Sequence, residues 1–228
     1  MASFRTHISF GIAFGVATVI ATMSLALFPS PSVTLYAGLA LAGVIGAILP
    51  DMDSDSGLPF AITFGSLSLI AGELAFLFTR RMVDSGSWIF YAAPCFAILF
   101  VWFVLGGIFK RWTVHRGMAH SIPAAIVTGL LLFLAVTHVG YSDWEAFLMG
   151  LSITAGYILH LILDEVNSLV NFHGTPFVPN AALGSALKFT SQDKRLTIAT
   201  YAAISVLLVL NFDRLNPLVT TFVHAMQR

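Results

Sequence analysis

Charge is what this chain has least of. Only 10% of its 228 residues are Asp, Glu, Lys or Arg, where a soluble domain carries about 25%. That is too little polar surface to cover a soluble fold. Eleven Lys and Arg balance eleven Asp and Glu, so the net charge is zero, and there is no basic excess to attract nucleic acid. The single cysteine, Cys95, lies in an apolar run. One thiol excludes a disulfide framework and a cysteine-based metal site. Internal repeats, low-complexity tracts and a composition break are also missing, so residues 1–228 read as one integral-membrane domain. No His-Glu-x-x-His helix is present. The run Asp51-x-Asp53-x-Asp55 is not a calcium loop, because its glycine comes one place late, at Gly57, and its twelfth position is Ile62 instead of Glu.

What the chain has in abundance is apolar length. Hydrophobic residues make up 57% of it and the mean hydropathy is +0.88. A span needs roughly 20 mostly apolar residues. By that measure the chain predicts an all-α, polytopic membrane bundle of about seven transmembrane segments, at 8–28, 33–50, 60–79, 87–109, 120–138, 144–165 and 197–213. The first run is too long for the apolar region of a signal peptide and lacks a small-x-small cleavage site, so it is expected to be retained. The one long connection, 166–196, contains Gly174, Pro176, Pro179 and Gly184 and suits an interfacial or re-entrant segment. With the N-terminus inside, Arg5, Lys110, Arg111, Arg116, Lys188, Lys194 and Arg195 face the cytoplasm, against Arg80, Arg81, Arg214 and Arg228 outside. Positive residues favour the inner side, and this orientation is the expected one, with Arg80-Arg81 as the counter-signal.

The polar residues gather at span ends. His7 precedes the first segment; Asp51 and Asp53 follow the second; His115 and His120 lie between the fourth and fifth; His160 and Asp164 close the sixth. Counting crossings puts all seven on one side of the membrane, whichever way the chain is inserted. His160 and Asp164 are four apart on one helix, so they share a face. Asp51 and Asp53, just beyond Pro50, can turn their carboxylates toward a common point. Imidazole with carboxylate suits Zn²⁺, Mn²⁺ or Fe and not Ca²⁺. Seven donors exceed one tetrahedral zinc and suffice for two ions, so one or two divalent metals are expected, zinc foremost. His138, His173 and His224 read as interfacial histidines, and Asp143 as the N-cap of the sixth segment. Glu73, alone in the middle of the third segment, reads either as a proton or ion site or as a hydrogen bond to a neighbouring helix. His160-x-x-x-Asp164 is similar to the last motif of phosphatidic-acid-type lipid phosphatases, but their Pro-Ser-Gly-His segment is missing.

Four pieces, in order, carry a resemblance: Thr6-His7-x-x-x-Gly11, Leu49-Pro50-Asp51-x-Asp53, His115-Arg116-Gly117-x-x-His120-Ser121, and Gly156-Tyr157-x-x-His160-Leu161-x-x-Asp164. Together they resemble the YdjM/YbcI family of membrane-bound metal-dependent hydrolases, from the N-terminus to about residue 185. The resemblance implies a bacterial inner-membrane protein in which the His-Arg-Gly-x-x-His-Ser segment and the distal His-x-x-x-Asp carry metal ligands. The scatter of His and Asp over a helical bundle is also similar to zinc-dependent phospholipase C and related nucleases. One stretch departs: where family members run through a Gly-Val-Pro and a Trp-Pro, this chain has Asn167 to Pro179 with no Trp.

The sequence therefore points to a membrane hydrolase. His7, Asp51, Asp53, His115, His120, His160 and Asp164 are its expected metal ligands, with Asp53 also a candidate proton relay. Arg116, and secondarily Lys110 or Arg111, would grip an anionic substrate, since a guanidinium binds phosphate in a bidentate manner. Ser121 would orient a ligand or cap the fifth segment. A site at the membrane surface, on the cytoplasmic face, makes a lipid headgroup or lipid-linked phosphate the expected substrate. The alternatives are a divalent-cation transporter and a non-catalytic scaffold with a structural metal.

Overall fold

A computed structural model describes residues 3–25, 32–53, 58–112, 117–170, 184 and 186–226. Among them there is no strand. The helices are α1 (Phe4–Ser24), α2 (Val33–Gly46), α3 (Leu58–Met82), α4 (Trp88–Leu99), α5 (Gly106–Trp112), α6 (Ile122–Val139), α7 (Asp143–Val170) and α8 (Lys194–Met226). A one-turn 3-10 helix, Leu49–Asp53, follows α2, and a π-helical turn, Phe100–Leu105, joins α4 to α5. Each of the seven apolar segments corresponds to one helix or, for the fourth, to the broken helix α4–α5. Six are long and apolar enough to cross a membrane; α2 is the shorter one, about 21 Å long at 1.5 Å per residue.

Three boundaries differ from hydropathy, for identifiable reasons. Ser3 caps α1 by accepting from the Thr6 amide at 3.2 Å, so His7 stands in the first turn of the helix instead of before it. α7 runs to Val170, past the polar residues Asp164, Glu165, Asn167 and Ser168 that end the apolar run but not the helix. α8 likewise continues past residue 213, through Arg214 and Pro217. At the start of α7 the cap is Ser142, not Asp143: the Glu145 carboxylate accepts from the Ser142 amide at 2.9 Å while the Ser142 hydroxyl accepts from the Glu145 amide at 3.4 Å, a reciprocal capping box. Asp143 is left to pair with Arg214 of α8 at 2.9 Å.

The chain divides into two compact units. The first, Met1–Pro50 with Arg116–Arg228, holds α1, α2, α6, α7 and α8. Here α7 is the central helix, packed by α2 and α6 along most of its length and by α1. Its buried residues recur every three or four positions: Met149, Ile153, Gly156, Tyr157, His160, Leu161, Asp164 and Ser168. Lipid tails are as apolar as leucine, so helices in a bilayer associate through small residues and interhelical hydrogen bonds. Both are present. A Cβ on Gly156 would collide with the Gly43 carbonyl of α2, and one on Gly15 would lie 2.6 Å from the Ala40 carbonyl oxygen. The Ser152 hydroxyl donates to the Leu39 carbonyl at 2.8 Å, tying α7 to α2 in mid-membrane.

The second unit, Asp51–His115, is a hairpin of α3 against α4–α5. Gly72 admits Ile98, whose Cγ1 would lie 2.6 Å from an added Cβ. Phe60 meets Trp102 edge-on, with ring centroids 6.0 Å apart. Pro94 lies inside α4, where it removes one backbone donor.

Candidate metal centre

The centre is built on the end of α7. His160 and Asp164 are one helical turn apart, on its buried face, and both are almost wholly enclosed (0% and 2% exposed). The Nδ1 of His160 lies 2.8 Å from the carbonyl oxygen of Ala47. A carbonyl can only accept, so Nδ1 carries the proton and Nε2 keeps its lone pair. Ala47 is the C-cap residue of α2, and its carbonyl is among those a helix end leaves without an intrahelical donor. The same bond thus closes α2 and sets the histidine tautomer, an arrangement typical of metal-binding histidines. His160 Nε2 then lies 3.6 Å from Asp164 Oδ2.

His7, from the first turn of α1, is as deeply enclosed. Its ring stacks on that of His160, with centroids 3.7 Å apart and planes at 14°. Its Nε2 lies 3.3 Å from Asp164 Oδ1. Each oxygen of Asp164 is therefore approached by one imidazole.

His120 comes from the turn that leads into α6. Its amide donates to Gly117 at 3.2 Å. The Ser121 hydroxyl donates to the Met118 carbonyl at 2.5 Å and accepts from the Ala124 amide at 3.3 Å, so Ser121 is the helix cap that one of its two expected roles required. The Tyr157 hydroxyl donates to the Ala119 carbonyl, which fastens this turn to α7 one residue before His120. The His120 ring stands edge-on to His160 at 5.8 Å. Asp51, partly buried on the 3-10 turn after α2, completes the group.

Asp51, His120, His160 and Asp164 each offer one ligand atom, and these atoms all lie within 4.8 Å of one another. A tetrahedral zinc with bonds near 2.0–2.1 Å separates its ligand atoms by about 3.4 Å. The set thus has to close by about 1.4 Å at its widest, within the reach of side-chain rotation. Two imidazoles and two carboxylates are the donor chemistry of Zn, Mn or Fe sites, so the residues fit such an ion.

Of the other expected site residues, Asp53 shares the 3-10 turn with Asp51, but its side chain lies outside the described residues, as do His115 and Arg116 entirely and the side chains of Lys110 and Arg111. The stretch 171–183, which includes His173 and most of the departing region, also lies outside them, as does the His224 side chain. His138 is exposed at the far end of α6, with Nδ1 donating to the Leu134 carbonyl at 2.7 Å, as an interfacial histidine should.

Three contributors were not legible beforehand. The Ala47 carbonyl has no sequence signature. Tyr157 does have a signal, since it sits three residues before His160 on the same face. Glu165 accepts from the amides of Gly184 and Ala186, holding the chain before α8 against α7. Ala186 packs there on Ala125, Tyr157 and Leu161, and the Lys188 carbonyl accepts from the Ile122 amide at 3.0 Å. This strap backs the turn that carries His120.

A profile of the YdjM inner membrane protein family matches residues 1–226. The chain belongs to that family. Its multi-pass helical architecture agrees with an inner membrane protein. No curated protein and no solved structure matches it. The match takes in all four motif segments and also α8, which lies beyond the stretch that carried the resemblance.

Proposed function

We propose that this member of the YdjM family is a metal-dependent hydrolase acting on a phosphoester or lipid headgroup at the cytoplasmic surface of the inner membrane. The observation that carries the reading is the convergence of Asp51, His120, His160 and Asp164, drawn from three distant parts of the chain, within 4.8 Å. Depth supports it. His160 lies about 26 Å along α7 from Asp143 and Asp164 about 6 Å further. The hydrocarbon core is about 30 Å thick, so the ligands stand at the level where headgroups meet hydrocarbon. A transport site is expected near the midplane between interrupted helices, whereas α7 runs unbroken through both ligands.

In this reading His120 and His160 bind zinc, or manganese or iron, through imidazole, and Asp51 and Asp164 through carboxylate. A divalent ion held there supplies Lewis acidity, bringing the pKa of a water near neutral and polarising a phosphoryl or carbonyl oxygen. His160 enters with its tautomer already set by Ala47. His7 holds the second oxygen of Asp164 and so fixes the carboxylate's orientation. Arg116, four residues before His120, is assigned the anionic group of the substrate, and Asp53 the proton that the water loses.

Elemental analysis of detergent-purified protein, beside His120→Ala and Asp164→Ala, tests the centre. One or two equivalents of Zn, Mn or Fe in the wild type, lost in both variants, is the expected result. Headgroup or phosphate release from phospholipid vesicles with added Zn²⁺ or Mn²⁺ then tests the chemistry. Turnover by His120→Ala equal to wild type would defeat the assignment even if metal is found.

A further inference from the structure

The first turn of α6 has one donor that the helix itself cannot satisfy. The Ser121 hydroxyl accepts from the Ala124 amide at 3.3 Å, the Ser121 carbonyl accepts from the Ala125 amide at 3.3 Å, and Pro123 has no amide hydrogen. That leaves the Ile122 amide, one of the donors a helix start cannot pair internally. It donates to the Lys188 carbonyl at 3.0 Å, two residues after His120. Lys188 is fixed in turn. Its amide donates to the Ala186 carbonyl at 3.1 Å, and Ala186 is buried on Ala125 of α6 and on Tyr157 and Leu161 of α7. The amides of Ala186 and Gly184 both end on one side chain: Glu165 accepts from Ala186 at 3.3 Å through Oε2 and from Gly184 through Oε1. Gly184 turns there with a φ of +80°, a conformation open to glycine.

One hydrogen-bonded clasp therefore joins the neighbours of two residues of the centre. Glu165 directly follows Asp164 on α7, and Ile122 lies just beyond His120. We infer that Glu165 is a positioning residue: by anchoring the strap, it fixes the His120 turn against the end of α7 that carries His160 and Asp164. The consequence for metal binding rests on the proposed centre, but the clasp does not. Packing alone would not set the register of the strap, because the buried side chain is only the methyl of Ala186. Hydrogen bonds at both ends do set it. The residue type follows from the task. Two amides need two acceptors, and a carboxylate presents two oxygens and no donor, whereas a glutamine amide replaces one of them with a donor. Aspartate keeps both oxygens but is shorter by one carbon–carbon bond, about 1.5 Å. On its other flank the His120 turn is held by Tyr157 through the Ala119 carbonyl, so α7 grips the turn on both sides of the histidine.

The test uses detergent-purified, full-length protein and two readouts. In the metal-free protein, Glu165→Gln should quicken hydrogen exchange over residues 117–122 several-fold, although no residue of that turn is altered. Chelator competition for Zn²⁺ should then show affinity about 10-fold lower, as when the groups that orient a ligand are lost. Glu165→Asp separates position from charge. It keeps a carboxylate beside Asp164, so a purely electrostatic role predicts wild-type affinity, whereas a broken clasp predicts a loss comparable to that of Glu165→Gln. Glu145→Gln, which weakens the capping box at the far end of α7, is the control for a general loss of stability and should move neither readout. Unchanged exchange at 117–122 in Glu165→Gln would overturn the inference, and so would wild-type affinity in Glu165→Asp. Wild-type protein that binds no Zn²⁺ would count against the proposed centre alone, because exchange in the metal-free protein still decides the clasp.

Discussion

Gly156→Ala should damage the metal centre without touching a ligand. Gly156 meets Gly43 where α7 crosses α2. An added Cβ would collide with the Gly43 carbonyl oxygen and lie 3.2 Å from the Gly43 Cα. Backbone cannot swing aside as a side chain can, so the two helices must separate by about 1 Å, an overpacking that costs about 1–3 kcal/mol. One turn further along each helix are Ala47 and His160, joined at 2.8 Å. A separation of that size stretches their contact to about 3.8 Å, beyond a hydrogen bond. His160 then loses the group that sets its tautomer, and losses of that kind lower metal affinity about 10–100-fold. Chelator competition measures the affinity, and thermal unfolding in detergent measures the packing. Gly107→Ala is the control. Nothing lies within 4 Å of a Cβ there, and alanine in a helix is favoured over glycine by up to about 1 kcal/mol. If Gly156→Ala keeps both the wild-type melting temperature and the wild-type metal affinity, the crossing does not govern the site and the reasoning fails.

Two further outcomes follow from contacts away from the ligands. Tyr157→Phe removes the hydroxyl that holds the Ala119 carbonyl; it should weaken metal binding several-fold while leaving helix content by circular dichroism unchanged, and an unaltered affinity would show that the His120 turn is held by other contacts. Arg214→Ala breaks a pair whose side chains are 44% and 39% exposed; at that exposure the loss should be under about 1 kcal/mol, seen as a small fall in melting temperature with metal content unaffected.

The helical class and the order of spans are legible because lipid demands long apolar runs, and those are visible one residue at a time. Helix ends are less so. The expected span stops at residue 165, yet a helix stops only where its backbone bonds do, and α7 continues to Val170. The convergence of His7, Asp51, His120, His160 and Asp164 could be read by counting crossings, since parity alone puts them on one face. What parity cannot supply is role. His7 and His160 both stand near span ends, His160 with Asp164 one turn on. Only the Ala47 carbonyl tells them apart: it sets the tautomer of His160, while His7 stacks on that ring with its Nε2 3.3 Å from Asp164 Oδ1. The cap of α7 is ambiguous in sequence for a similar reason: Ser142 and Asp143 are both good caps, and the choice falls to Glu145, which reaches back to Ser142.

The glycines bear on why the centre stands where it does. Gly11 is four residues after His7, Gly46 immediately precedes Ala47, and Gly156 is four residues before His160. Each of α1, α2 and α7 thus carries a small residue within about one turn of the group it contributes. The packing at these points is tight: a Cβ on Gly46 would collide with the Ile153 carbonyl oxygen and lie 2.9 Å from the Tyr157 amide nitrogen, and one on Gly11 would lie 2.8 Å from the Ala47 Cβ. In water a hydrophobic core would draw the helices together and a site could form anywhere along them. In a bilayer that drive is absent, and close packing must come from small residues and polar bonds. Small residues beside the ligands let α1, α2 and α7 pack closely at the most polar part of the bundle. Burying polar side chains there is offset by their contacts with one another and with the Ala47 carbonyl. The same close packing keeps four side chains that could hold a metal ion within 4.8 Å of one another.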